Sequence, residues 1–276
     1  MLSKLLKYEY RATAIYFLPI YVMLVLVSAF SYAVRLISKG MAEAKGAQSP
    51  GLEKLLDTAM TSLGSVYVLL AMALAITTFI VIIMRFYKNL LGNEGYLMFT
   101  LPVSVEENIL AKLIPAVTWF LGSCLLGVLT IVPTFWGSYA DFYDFFFSGM
   151  ELKDFIVVLL IIIFAVACLG FGFLFYYLCM CIGQLFNSHK FLASAAVYIG
   201  IQGVLQVLTV IGIVLLVNFF DSAIPFFRNI ALSINSLEYH TFLMLFFGVL
   251  DVFVLLCAAG LFWLDCRILK KRLNLT

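Results

Sequence analysis

Asp154-Phe-Ile-Val-Val-Leu-Leu-Ile-Ile-Ile-Phe-Ala-Val-Ala-Cys-Leu-Gly-Phe-Gly-Phe-Leu-Phe-Tyr-Tyr-Leu-Cys-Met180 carries no charged residue after its first position. A helix needs about 20 apolar residues to cross a hydrocarbon core about 30 Å thick, so this stretch reads as a membrane span. Five further runs have the same character. Together they predict an all-α integral membrane protein with six spans, at about 13–34, 62–84, 110–136, 154–180, 191–217 and 241–264. Composition agrees. The 276 residues are 64% hydrophobic and only 12% charged, whereas a soluble domain carries about a quarter charged residues. The mean hydropathy of +1.12 would leave more apolar surface than water tolerates. No polar block is long enough to fold alone, so the chain reads as one transmembrane domain over 1–276. A net charge of +2 gives no argument for a nucleic-acid partner.

Lys and Arg set the orientation of such a chain. With six spans, Lys4, Lys7, Arg11, Arg85, Lys88, Lys112, Lys190, Arg267, Lys270, Lys271 and Arg272 fall on one side. Arg35, Lys39, Lys45, Lys54, Lys153 and Arg228 fall on the other. Eleven against six predicts both termini in the cytoplasm, although the four basic residues of the 35–61 loop point the other way. The acids Asp141, Asp144, Glu151 and Asp154 of the 137–154 loop fit an external position. The first span is too long for the apolar core of a signal peptide, and Ser31-Tyr32-Ala33 is a weak cleavage site. Ahead of that span, Leu2, Leu5, Leu6 and Tyr10 recur at helical spacing, with Lys4, Lys7 and Arg11 on other faces. Residues 1–12 therefore predict an interfacial helix that turns into the bilayer.

The cytoplasmic stretch 85–109 divides into parts. Gly92-Asn93 is a turn signal that ends the second helix. Tyr96-Leu-Met-Phe-Thr-Leu101 is a short apolar run bounded by Pro102, because a residue before proline is pushed out of the helical region. Ser104-Val-Glu-Glu107 fits a capping box, so the third helix should begin near Val105. An apolar segment between two cytoplasmic turns either packs beneath the membrane domain or enters a groove on a partner.

The stretch Gly92-Asn-Glu-Gly-Tyr-Leu-Met-Phe-Thr-Leu-Pro102 resembles the cytoplasmic loop of ABC-2 type ABC transporter permeases, especially small permeases of Gram-positive bacteria. The ends Leu2-Ser-Lys-Leu-Leu-Lys-Tyr-Glu-Tyr-Arg11 and Leu269-Lys-Lys-Arg-Leu-Asn-Leu275 resemble that family too. Family members commonly carry an acid where this chain has Asn93, which leaves Glu94 as the only acid there. The resemblance implies a type V exporter-like fold, with a coupling helix between the second and third spans and a re-entrant segment at 218–240. It implies a permease subunit of an ATP-driven exporter in the bacterial plasma membrane, paired with a second permease, the same or related. Two separate ATPase subunits would hold the ATP and Mg, with no cofactor in this chain. By that analogy Glu94, Gly95, Tyr96, Leu97, Met98, Phe99, Thr100 and Leu101 contact the ATPase.

Inside the membrane, Ser194, Tyr198, Gln202 and Gln206 of the fifth span lie four residues apart, with Thr209 near the same side. They wind along one face. Amides in hydrocarbon need partners, so this face lines a translocation path or a dimer seam, or bonds to neighbouring helices of the same subunit. Asp251 sits in the middle of the sixth span, where an ionised carboxylate costs about 2.5–3.5 kcal/mol. It is either a proton-relay or ion site, or a hydrogen-bonded structural carboxyl. Small residues such as Ser123 with Gly127, and Cys168 with Gly172, suit close helix contacts, which makes Gly170 and Gly172 packing or hinge candidates. Phe219, Phe220, Phe226 and Phe227 fit an outer-interface aromatic anchor or the re-entrant segment.

The chain lacks a G-x-x-x-x-G-K-[ST] phosphate loop and an H-E-x-x-H motif. Its six cysteines form no C-x-x-C pair and fall mostly in apolar runs, where they read as packing residues. The leading expectation is thus the permease half of an exporter and not an enzyme. The alternatives are a secondary transporter or channel using Asp251 and the fifth-span face, and a membrane sensor or scaffold.

Overall fold

A computed structural model describes residues 2–43, 50–92, 95, 103–136, 138–186, 189–222 and 239–271, and among them all regular structure is helical. The helices are α1 (Leu2–Glu43), α2 (Pro50–Phe86), α3 (Val105–Ile131), α4 (Tyr139–Phe147), α5 (Leu152–Gly183), α6 (Lys190–Ser222) and α7 (Tyr239–Lys271). All but α4 are long and apolar enough to cross a membrane, as a multi-pass membrane protein requires. Each of the six expected spans falls on one of them.

The helices outrun the hydropathy. At 1.5 Å per residue α1 is about 63 Å long, roughly twice the hydrocarbon thickness. It has no break after residue 12, so the expected turn from an interfacial helix into the bilayer is absent, and residues 2–12 continue directly into the span. No glycine interrupts that junction, and the Thr13 hydroxyl bonds back to the Glu9 carbonyl at 2.7 Å, inside the helical ladder. The 35–61 loop shortens in the same way. Helix α2 starts at Pro50, where a missing N–H is harmless, and carries Glu53 in its first turn, where the helix dipole favours an acid.

The ends of α2 and α3 have local causes. Helix α2 passes into a π-helical turn, Tyr87–Leu91, and Gly92 then leaves the helical region at φ −87°, ψ −167°. Helix α3 starts at Val105 as expected, with the Ser104 hydroxyl accepting from the Glu107 amide at 3.2 Å. Its far end is a second π-helical turn, Val132–Trp136, containing Pro133, whose ring cannot continue the regular ladder. The acidic 137–154 stretch contains α4, capped by the Ser138 hydroxyl on the Ala140 amide at 3.1 Å.

The chain divides into two compact units, Met1–Arg85 with Leu110–Gly149, and Phe86–Ile109 with Met150–Thr276. In the first unit, Phe17 and Leu24 of α1 pack with Tyr67, Leu74 and Val81 of α2. Both sets repeat every seven residues, the spacing of knobs-into-holes packing. Helices α1 and α3 run parallel, joined by a ladder of polar contacts. Tyr10 meets Thr118 at 2.6 Å, and the Trp119 indole N–H donates to Thr13 at 2.7 Å. Tyr21 meets Ser123 at 2.8 Å, Ser28 donates to the Thr130 carbonyl at 2.9 Å, and Arg35 donates to the Thr134 carbonyl at 2.9 Å. Lipid supplies no hydrophobic drive between helices, so packing and such bonds hold them, at about 0.6 kcal/mol per bond.

In the second unit α5 packs along α7 and against α6. Asp154 approaches His240 at 3.2 Å and Phe164 contacts Phe247 at 6.0 Å between ring centroids, so α5 and α7 run parallel. The tight point of the α5–α6 hairpin is Gly183. A Cβ there would lie 2.6 Å from the Cα and N of Ser194. The glycines expected to permit close contact, Gly127, Gly170 and Gly172, have nothing within 4 Å of an added Cβ.

Candidate functional site

Of the eight coupling-loop residues, Gly95 is described. Glu94, Tyr96, Leu97, Met98, Phe99, Thr100 and Leu101 lie outside the described residues, as does most of the 218–240 segment. What is described is how the stretch is held at each side.

Its leading flank is packed. Phe86 is wholly buried and stacks on Tyr177 of α5, centroids 3.8 Å apart and rings 5° from parallel. Tyr87 packs edge-on against Phe191 of α6 at 5.6 Å. Leu90 is buried beneath the turn. The Gly95 amide donates to the Gly92 carbonyl at 2.9 Å, closing a tight turn. A side chain at Gly95 would sit 2.5 Å from the Leu90 carbonyl oxygen, and one at Gly92 would sit 2.7 Å from that of Lys88. Both positions therefore require glycine. The trailing flank is also anchored. Asn108 and Ile109 are fully buried, and Glu106 forms an ion pair with Lys270 near the end of α7. Among the described residues on either side of 92–102, Phe86 thus stacks on α5, Tyr87 packs edge-on against α6 and Glu106 pairs with α7, all within the second unit. Phe86, Tyr177 and Phe191 carried no functional signal in the sequence, and Lys270 entered only through the charge balance and the resemblance of the chain's end, because their partners are far away along the chain.

The fifth-span face does not behave as one surface. Ser194 is buried at the α5–α6 hairpin. Tyr198 is half-buried, its hydroxyl 3.2 Å from that of Tyr176 and its ring stacked on the Tyr176 ring at 4.9 Å. Gln202 and Gln206 are exposed on the chain, on a helix whose apolar window has no buried residue. Thr209 is exposed and returns its hydroxyl to the Leu205 carbonyl at 2.8 Å. The structure brings Ser194 and Tyr198 against α5 and leaves the two amides facing outward.

Asp251 is buried at 6% exposure, and neither carboxylate oxygen has a hydrogen-bond partner among the described residues. It lies within electrostatic reach of Cys168 on α5. A second such group, Asp265, falls one residue past the expected end of the sixth span. It is fully buried, neither oxygen has a hydrogen-bond partner among the described residues, and it lies within reach of the Cys179, Cys181 and Cys266 thiols. Fourteen residues separate the two acids, close to four helical turns, so they share the face of α7 that meets α5. Among the described residues no group of three His, Cys, Asp or Glu side chains is arranged to hold a metal ion.

No protein-family model, no curated protein and no solved structure matches this chain.

Proposed function

We propose that the chain is the membrane permease subunit of an ATP-driven exporter of the ABC-2 type, coupled to a separate ATPase through residues 92–102. The observation that carries this reading is the mounting of that stretch. A short apolar run, Tyr96–Leu101, lies between a glycine-closed turn and a capped helix start, and its flanks are fixed to α5, α6 and α7. Force applied to such a stretch passes into three membrane helices at once. The resemblance of Gly92–Pro102 to the family's loop supports the same reading, and so does the excess of Lys and Arg that places this side in the cytoplasm with both termini.

The subunit acts with a second permease, the same or related, on a pair of ATPase subunits in a bacterial plasma membrane. Gln202 and Gln206, exposed on α6, are amides that need a partner within the bilayer. ATP is held by the partner ATPase, where closure of its nucleotide sites pushes on Tyr96–Leu101. Asp251 and Asp265 favour one other reading, an ion-coupled transporter with unpaired acids on α7.

Affinity purification from native membranes separates the two. The exporter reading requires a co-purifying protein with a phosphate-loop ATPase domain, whose ATP hydrolysis changes when this chain is removed. Transport driven by an ion gradient, with no such ATPase present, contradicts it.

A further inference from the structure

In the first unit a partly open cavity lies toward one end of the three long helices. Its lining is graded. Helix α1 gives Glu9 and, two turns deeper, Phe17. Helix α2 gives Arg85 and, one turn deeper, Val81. Helix α3 gives Lys112 and, two turns deeper, Trp119. The drop from charged rim to apolar floor is about 10–12 Å in α1 and α3 at 1.5 Å per residue. Counted out to its mouth the cavity holds about 290 Å³. Its closed depth has room for about one water, so a ligand must sit at the mouth with an apolar part against the wall.

The charges at the rim do not cancel. Lys112 is ion-paired with Glu9, both well buried. That leaves the half-buried guanidinium of Arg85 as the excess cation. One of its terminal nitrogens donates to the Ala12 carbonyl at 2.8 Å, and a guanidinium carries five N–H donors in a planar fork that matches phosphate oxygens. A cationic rim over aliphatic and aromatic walls, at the end of membrane helices, matches an amphiphile with an anionic head.

We propose that the mouth of this cavity binds the phosphodiester head of an anionic membrane lipid, with Arg85 holding the phosphate and the partly exposed Trp119 against the glycerol and first acyl carbons. A free phosphate shares the head-group chemistry but leaves the apolar wall unused. The proposal is independent of the exporter reading, because its readout is lipid retention and requires neither ATPase nor transport.

The test uses the full purified chain in detergent, with native mass spectrometry counting bound phosphatidylglycerol against phosphatidylcholine of matched acyl chains. Phosphatidylglycerol should be retained preferentially. Arg85→Gln should reduce the preference roughly five-fold, the effect of one cation near a charged head group, while Lys54→Gln at the other end of α2 leaves it unchanged. Millimolar inorganic phosphate should not displace the lipid. Equal retention of the two lipids, an Arg85→Gln protein with full preference, or displacement by inorganic phosphate overturns the assignment. Should Arg85→Gln not fold, Trp119 fluorescence in a Trp136→Phe, Trp263→Phe background serves instead. Brominated phosphatidylglycerol should quench it more than brominated phosphatidylcholine, and equal quenching overturns the proposal.

Discussion

Phe86 and Tyr177 lie face to face, ring centroids 3.8 Å apart and planes 5° from parallel, and both side chains are completely buried. One ends α2, immediately before the turn into the 92–102 stretch, and the other sits in the last two turns of α5. The stack attaches the leading flank of that stretch to α5. A double-mutant cycle with Phe86→Leu and Tyr177→Leu should give a coupling energy of about 0.5–1.5 kcal/mol beyond the loss of buried area. Thermal unfolding in detergent measures it, and additive single effects would remove the stack from the account.

Gly183 and Gly172 lie in one helix and should respond oppositely to alanine. At Gly183 the added methyl meets backbone atoms of Ser194 at 2.6 Å, which cannot move without separating α5 from α6. Gly183→Ala should destabilise by about 1–3 kcal/mol, as overpacking does. At Gly172 nothing lies within 4 Å, so Gly172→Ala should be neutral or stabilise by up to about 1 kcal/mol through helix propensity. Melting temperatures of the two purified variants decide.

The Glu9–Lys112 pair is well buried, with side-chain exposures of 11% and 2%. Removing one partner strands the other charge. Lys112→Met should therefore destabilise by about 3–5 kcal/mol, and the double variant Glu9→Gln, Lys112→Met should recover most of the loss. A double variant no more stable than Lys112→Met would show that the pair is not the source of the effect.

The unpaired carboxyls of α7 make the reverse prediction. Asp265→Asn and Asp251→Asn each remove a buried acid that has no hydrogen-bond partner among the described residues. Neither should lower the melting temperature, because a neutral amide is cheaper to bury than a carboxylate. A large destabilisation at either position would mean that the acid has a partner the geometry does not reveal. Loss of transport with intact stability would mark that acid as functional.

The spans were legible because a bilayer demands long apolar runs, and each run in the sequence became one helix. Their ends were not, because hydropathy reports the lipid boundary whereas a helix stops where its backbone is capped or broken. Gly92 and Ser104 were legible as such signals, being local chemistry. The continuity of α1 through residue 12 and of α2 back to Pro50 was not, because charged residues such as Lys39 and Glu53 continue a helix into water as readily as they end a span. The candidate site divided along the same line. The turn and the cap were read from neighbouring residues, whereas Tyr177, Phe191 and Lys270 act on the stretch across separations that periodicity does not encode. The even spacing of Ser194, Tyr198, Gln202 and Gln206 suggested one face, but the tight approach at Gly183 buries only its first part. Asp265 escaped notice because it falls just beyond the apolar run that defined the last span, and the seven-residue repeat of Tyr67, Leu74 and Val81 was hidden in a helix that is apolar on every side.

The most direct test places a photo-crosslinking amino acid at Leu97 and at Phe99, one at a time, in the chain expressed in its native membrane. Coupling through 92–102 predicts ultraviolet-dependent adducts at both positions with one protein bearing a phosphate-loop ATPase domain, altered in yield when ATP hydrolysis is blocked. Adducts formed only within the chain itself or with lipid would contradict it.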